Sequence, residues 1–256
     1  VYFNLPLDLL LLFAVTTPAV GWLLSKVGRQ SLSGVYALAG LILSGVALYI
    51  TYTQLPPSGS LPTTDLFSAI LSVDMLGIFM ATIFIGLGIA VTVYSLKFME
   101  QYSGRPLYYA MLLALVGGMV GVVFAGDLFT LFVFFELMAI SSYVLVAFHR
   151  ERWEAVEAGF KYLIMGVAGS ATALMGISFL YGLTGTLNFS GLASALTGGH
   201  DPWLWVAFLF VFVGFGIKAA VVPLHTWLPD AYASASPPVA AMLAGVATEV
   251  GVFVLA

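Results

Sequence analysis

Not one cysteine occurs among the 256 residues, which excludes disulfides, thiolate-held zinc and iron–sulfur ligation by this chain. Charge is scarce as well. Only 8% of residues are Asp, Glu, Lys or Arg, against about 25% in soluble domains, so an ordinary water-soluble fold is excluded. The net charge of −4 comes with no basic patch, and nucleic acid is not a partner. Alternating short apolar strands are missing, which argues against a membrane β-barrel. The first apolar stretch lacks a basic leader and a small-residue cleavage site, so no cleavable signal peptide is evident. Glycine-rich runs such as GLGIA and GMVGVVFAG lack the preceding strand that phosphate-binding fingerprints need, and read as close helix packing. No His/Glu spacing resembles a metal site, and no cofactor is expected in this chain.

What remains is hydrophobic: 61% of the chain, with a mean hydropathy of +1.08. A spanning helix needs roughly 20 apolar residues, so this length allows about eight spans. The fold class is therefore an all-α polytopic membrane protein. The spans are predicted at about 5–25, 31–53, 73–97, 107–125, 128–148, 157–183 and 202–222, the last with a broken continuation to about 235. An eighth begins near Pro238 and is still running at Ala256, which reads as a fragment of a longer protein. A short surface helix is expected between Asn188 and Leu196. Trp203, Trp205, Tyr108 and Tyr109 lie at span ends and read as interface anchors, and His149 and His200 as solvated.

Six of the eight basic residues fall in loops. Lys26 and Arg29 follow the first span, Lys97 and Arg105 the third, Arg150 and Arg152 the fifth. With alternating spans all three loops share one face, while loops 54–72 and 184–201 hold neither Lys nor Arg. The positive-inside rule puts the basic loops in the cytoplasm of a prokaryotic cell and the N-terminus outside.

The other two basic residues, Lys161 and Lys218, lie within spans, as do Glu136 and Glu249. An ionisable group in hydrocarbon is a functional hypothesis with a partner to be named. Glu136 sits near mid-membrane among residues that cannot pair with it, so its partner must come from another helix. Lys161 follows Glu157 by one turn, and an i,i+4 pair explains it cheaply. Lys218 has no acid near it in sequence, and Pro223 and Pro229 break the helix beside it. A lysine there costs roughly 3 kcal/mol on insertion scales, and a buried lysine gives and takes a proton readily. His225 reads either as a proton relay or as a loop-stabilising hydrogen bonder. Glu249 reads as a helix cap, a local pair or a relay acid.

Three stretches carry a resemblance: GDLFTLFVFFELMAISSYVL, AGFKYLIMGVAGS and IKAAVVPLHTWLPDAYASASPPVAAMLAGV. They resemble the antiporter-like subunits of respiratory complex I, a family that includes Mrp-type cation/proton antiporters and membrane-bound hydrogenases. The similarity covers about 107–256. It implies a core of two inverted five-helix repeats, each with a discontinuous helix. Residues 1–106 would then be an N-terminal three-helix segment and 107–256 the first repeat, with the second lying outside this chain. It also implies that Glu136 pairs with Lys161, that Lys218 on the discontinuous seventh span is the central proton carrier, and that His225 follows the break as a relay group. Where the family commonly has a lysine in the eighth span, this sequence has Glu249, so a lysine-to-lysine transfer is not assured here.

The expected function is proton or Na⁺ translocation through a relay of Glu136, Lys161, Lys218, His225 and Glu249, in a redox-driven complex. The expected partners are other membrane subunits, further antiporter-like subunits among them, and a redox module that supplies the energy. One alternative is a subunit of an Mrp-type antiporter complex without redox partners. Another is a structural membrane anchor whose charges only pair helices. Whether the chain belongs to an enzyme depends on those partners.

Overall fold

Apolar runs with polar or proline punctuation become helices of membrane-crossing length. In a computed structural model, residues 4–26, 32–55, 70–196 and 202–255 are described. The first helices are α1 (Leu5–Lys26), α2 (Leu32–Thr53), α3 (Met75–Phe98), α4 (Arg105–Val123), α5 (Leu128–Val146) and α6 (Trp153–Thr184). A short α7 (Phe189–Leu196) lies where the surface helix is expected, followed by α8 (Pro202–Lys218), α9 (Leu228–Ser234), α10 (Pro237–Met242) and α11 (Thr248–Leu255). A π-turn over Leu243–Ala247 joins α10 to α11 without interrupting the rod. Among the described residues, seven helical stretches are long and apolar enough to cross a membrane, the last being Pro237–Leu255. The protein is a multi-pass membrane protein.

Local chemistry sets the helix starts. Asp74 accepts from the Gly77 amide at 2.7 Å, and Asp127 from the amides of Phe129 and Thr130 at 2.9 and 2.8 Å. Each satisfies donors that the first turn of α3 or α5 leaves unpaired. Pro106 occupies the first turn of α4, where its missing N–H costs nothing. An isolated bridge between Asp127 and Asn188 ties the start of α5 to that of α7.

The core sits around α4, of which 83% of the most apolar stretch is buried, packed by α1, α2, α3 and α5. Tyr108 and Tyr109, expected at a lipid interface, are buried instead. The Tyr108 hydroxyl shares a hydrogen bond with Ser95 Oγ at 2.9 Å, and that of Tyr109 donates to the Ser95 carbonyl at 3.1 Å. A span surrounded by other helices has no lipid interface to anchor, so its terminal tyrosines turn inward. Trp203 and Trp205 stay exposed. His149 also departs from expectation. It packs against Phe98, Tyr102 and Phe148 with Nε2 buried. That burial, with Arg152 nearby, holds its imidazole below the usual histidine range. His200 lies outside the described residues.

A second packing unit positions the site. The most extensive helix pair is α6 with α8, and it closes through small residues. A Cβ on Gly214 would lie 2.4 Å from the Ala173 amide, and one on Gly176 2.7 Å from the Val211 amide. Backbones approach this closely only where side chains are missing. The consequence is that α8 delivers its last residue, Lys218, between α5 and α6.

Candidate functional site: a buried ion pair at a helix break

At 17 residues α8 is about 25 Å long, short of the ~30 Å hydrocarbon core. It ends at Lys218. The Ala220 amide donates to the Ile217 carbonyl at 3.2 Å, and that of Val221 to the Gly216 carbonyl at 2.9 Å. This is the Schellman pattern that closes a helix, with Ala220 in the left-handed position at φ 54°. Trp227 adds a donor from beyond the break, its Nε1–H reaching the Ile217 carbonyl at 2.8 Å. Stacking fixes that indole on Tyr162, with ring centroids 4.0 Å apart and planes within 6°. The Gly216 and Ile217 carbonyls at the broken end are thus met by protein groups, as backbone at membrane depth requires.

Lys218 is 6% exposed and forms an ion pair with Oε1 of Glu136. Ser170 Oγ lies 2.6 Å from the same oxygen. Three helices therefore converge on one carboxylate: Glu136 from α5, Ser170 from α6, Lys218 from α8. The ammonium also lies 5.0 Å from the centre of the Phe135 ring, whose face favours a cation. Beside Lys218 a cavity of about 10 Å³ is lined by Tyr143, Tyr162, Tyr232 and Thr248 among others. That is room for about one water molecule.

Lys161 is elsewhere. Its Nζ lies 2.9 Å from Glu157 on its own helix and 2.8 Å from Asp230 on α9, with all three side chains about half exposed. The i,i+4 pair expected from sequence is present. The Glu136–Lys161 pair implied by the resemblance is not. Lys161 lies nine residues from Ser170, which touches Glu136, an offset of about 13 Å along α6. Asp230 and Glu157 hold the lysine at its own level.

His225 is partly buried, with Nδ1 buried and unpartnered, in the turn between α8 and α9. Glu249, in the first turn of α11, is exposed and carries no ion pair among the described residues. Between Lys218 and Glu249 lies the π-turn, where the Tyr232 hydroxyl donates to the Leu243 carbonyl at 3.1 Å. Such turns are frequent at functional sites. Ser170 had no signal in the sequence that set it apart, and Asp230 read only as a polar group of the broken stretch, with no partner. A serine in a run of small residues reads as packing, and Asp230 is 69 residues from the lysine it meets. Among the described residues no group of three or more His, Asp or Glu could hold a metal ion.

The chain is thus a multi-pass helical membrane protein with a buried lysine and glutamate meeting at a helix break. The chain is a member of the NADH:quinone oxidoreductase/Mrp antiporter transmembrane family, whose model matches residues 125–256. It is 39% identical over 171 residues to NADH-quinone oxidoreductase subunit N of Desulforudis audaxviator, covering 66% of this chain and 34% of that protein. A chain of the membrane-bound sulfane sulfur reductase, an archaeal respiratory membrane complex, matches with TM-score 0.83 and 28% identity. That match covers 99% of this chain and 52% of the other. A chain of the Mrp complex of Dietzia sp. DQ12-45-1b matches with TM-score 0.79 and 28% identity, over 96% of this chain and 47% of that one. The chain spans between a third and a half of the length of the curated relatives it matches.

Proposed function

We propose that this chain is part of an ion-translocating subunit that moves protons across the membrane in a complex driven by a redox partner. The observation that carries this reading is the ion pair between Lys218 and Glu136 at the broken end of α8. A buried lysine facing one carboxylate has two accessible states, ion pair and neutral pair, and the balance between them responds to charge and water nearby. The neighbouring cavity supplies space for that water. Lys161, with Glu157 and Asp230, forms the half-exposed uptake side. His225 and Glu249 lie beyond the break as successive acceptors, Glu249 standing where the family resemblance implies a lysine. Residues 107–256 act as one five-helix repeat behind the N-terminal segment 1–106. The basic loops face the cytoplasm and the N-terminus the outside.

Moving one charge against 100 mV requires about 2.3 kcal/mol, and the energy comes from other subunits. Support for a redox source is the naming of relatives as subunits N of NADH-quinone oxidoreductase and of F420H2 dehydrogenase. A second reading, gradient-driven exchange of H⁺ and Na⁺ among membrane subunits alone, is favoured by the likeness to the Mrp complex. Mass spectrometry of the gently extracted complex separates the two, through the presence or absence of iron–sulfur or nickel-bearing partners. The test common to both is Lys218→Ala in the reconstituted complex. Ion transport is expected to stop while assembly persists; full transport would end the relay reading. If Glu136→Gln combined with Lys161→Gln leaves transport unchanged, the charges only pair helices and the chain is an anchor.

A further inference from the structure

The Ser170 hydroxyl has two acceptors and one proton. Its Oγ lies 2.6 Å from Glu136 Oε1 and 2.9 Å from the Gly166 carbonyl, one turn back on its own helix. A serine hydroxyl carries a single O–H, so it donates to one of these at a time. Ser170 is 8% exposed, and the surrounding helices leave it no bulk water as a third choice. The position of the hydroxyl proton is therefore tied to the state of the glutamate.

We propose that Ser170 is a positioning residue that switches its hydrogen bond with the protonation of Glu136, keeping both states of the Glu136–Lys218 pair satisfied. The inference rests on the relay reading above. In the ionised state the Glu136 carboxylate accepts from the Lys218 ammonium and from the Ser170 hydroxyl, and the Gly166 carbonyl keeps only its helical bonding. When a proton moves from Lys218 to Glu136, an N–H bond breaks and an O–H bond forms, leaving a neutral amine and a carboxylic acid. The new acid is a donor, and Ser170 Oγ is an acceptor within reach. Ser170 then turns its own proton to the Gly166 carbonyl. The neutral Lys218 amine keeps an N–H toward Glu136, so each of the three groups retains a hydrogen bond in both states, which removes the penalty that an unbonded buried group imposes on one of them.

The surroundings fit a hydroxyl that must turn. A Cβ added at Gly166 would lie 1.8 Å from the Tyr143 hydroxyl, so only glycine lets that tyrosine pack against this turn of α6. The groups facing Glu136 and Ser170 are Lys218 from α8 and Tyr143 from α5. Of these only Lys218 is charged.

The test uses the whole complex in liposomes, with Ser170→Ala and Ser170→Thr. Ser170→Ala preserves the helix and removes the switching proton; threonine keeps it. Transport is expected to fall about tenfold in Ser170→Ala, the factor that one hydrogen bond to a charged group supplies, and to recover in Ser170→Thr. Infrared difference spectra during turnover supply a readout that packing does not move. A protonated-carboxyl C=O band that disappears in Glu136→Gln should shift in Ser170→Ala and stay in place in Ser170→Thr. Wild-type transport by Ser170→Ala, an unshifted band, or no carboxyl band that depends on Glu136 would each overturn the switch. If Lys218→Ala stops transport while Ser170→Ala does not slow it, the switch alone fails. If Lys218→Ala transports fully, the relay reading fails with it.

Discussion

Two lysines in neighbouring helices show opposite uses of charge. Lys218 is buried to 6% exposure and meets one carboxylate between three helices. Lys161 shares two carboxylates, Glu157 and Asp230, with about half of each side chain exposed. The second cluster offers its lysine two carboxylates, so either bond can exchange at small cost. The first cluster has no such reserve, since a charge left unpaired there has nothing else to turn to. What separates them is depth along α6, set by the glycine-lined packing of α6 on α8. A charge network in a membrane is thus graded by packing before it is graded by residue type.

The comparison breaks most sharply at Glu136. Glu136→Gln leaves Lys218 without its counter-charge and is expected to destabilise the protein by about 3 kcal/mol, the usual cost of removing one partner of a buried pair. Thermal unfolding of the purified complex checks this, and an unchanged midpoint would mean that Glu136 is not the counter-charge Lys218 depends on. Next in size is Trp227→Phe. It keeps the stack on Tyr162 but removes the donor to the Ile217 carbonyl, for a loss of about 1 kcal/mol and faster hydrogen exchange around the break. Ala220→Gly acts in the other direction. Relieving a Cβ from φ 54° should raise stability by about 0.5–1 kcal/mol, measured in the same unfolding assay. The smallest effect belongs to Lys161→Ala. Its change in transport should be partial and should fade as ionic strength rises, because salt already weakens the pairs it removes. A salt-independent loss as large as that of Lys218→Ala would place Lys161 in the buried network.

The sequence carried the helices well, and it carried the location of the chemistry. Apolar runs bounded by Asp74 and Asp127 and by proline fix where helices begin, because capping and the missing proline N–H act within a few residues. The prolines marked a break but put the end of this span near 222; α8 stops at Lys218 because the turn at Ala220 closes it ahead of Pro223. The partnerships were not legible. Glu136 could be assigned to another helix, but choosing Lys218 over Lys161 depends on the register of α5, α6 and α8, which small residues set by contact rather than by pattern. Tyr108 and Tyr109 were misplaced for a related reason. A tyrosine at a span end looks the same whether that span faces lipid or lies at the centre of the bundle. Ser170 carries no local mark and Asp230 none that names its partner, since their roles exist only once distant helices meet them.

The central claim is that Glu136 is coupled to Lys218 and not to Lys161. A pair of double-mutant cycles on the assembled complex tests it most directly, with Glu136→Gln combined once with Lys218→Met and once with Lys161→Met. The account predicts a coupling of at least about 1 kcal/mol in the first cycle, as for residues in one buried network. It predicts additive behaviour in the second. Additivity with Lys218 together with strong coupling to Lys161 would contradict it.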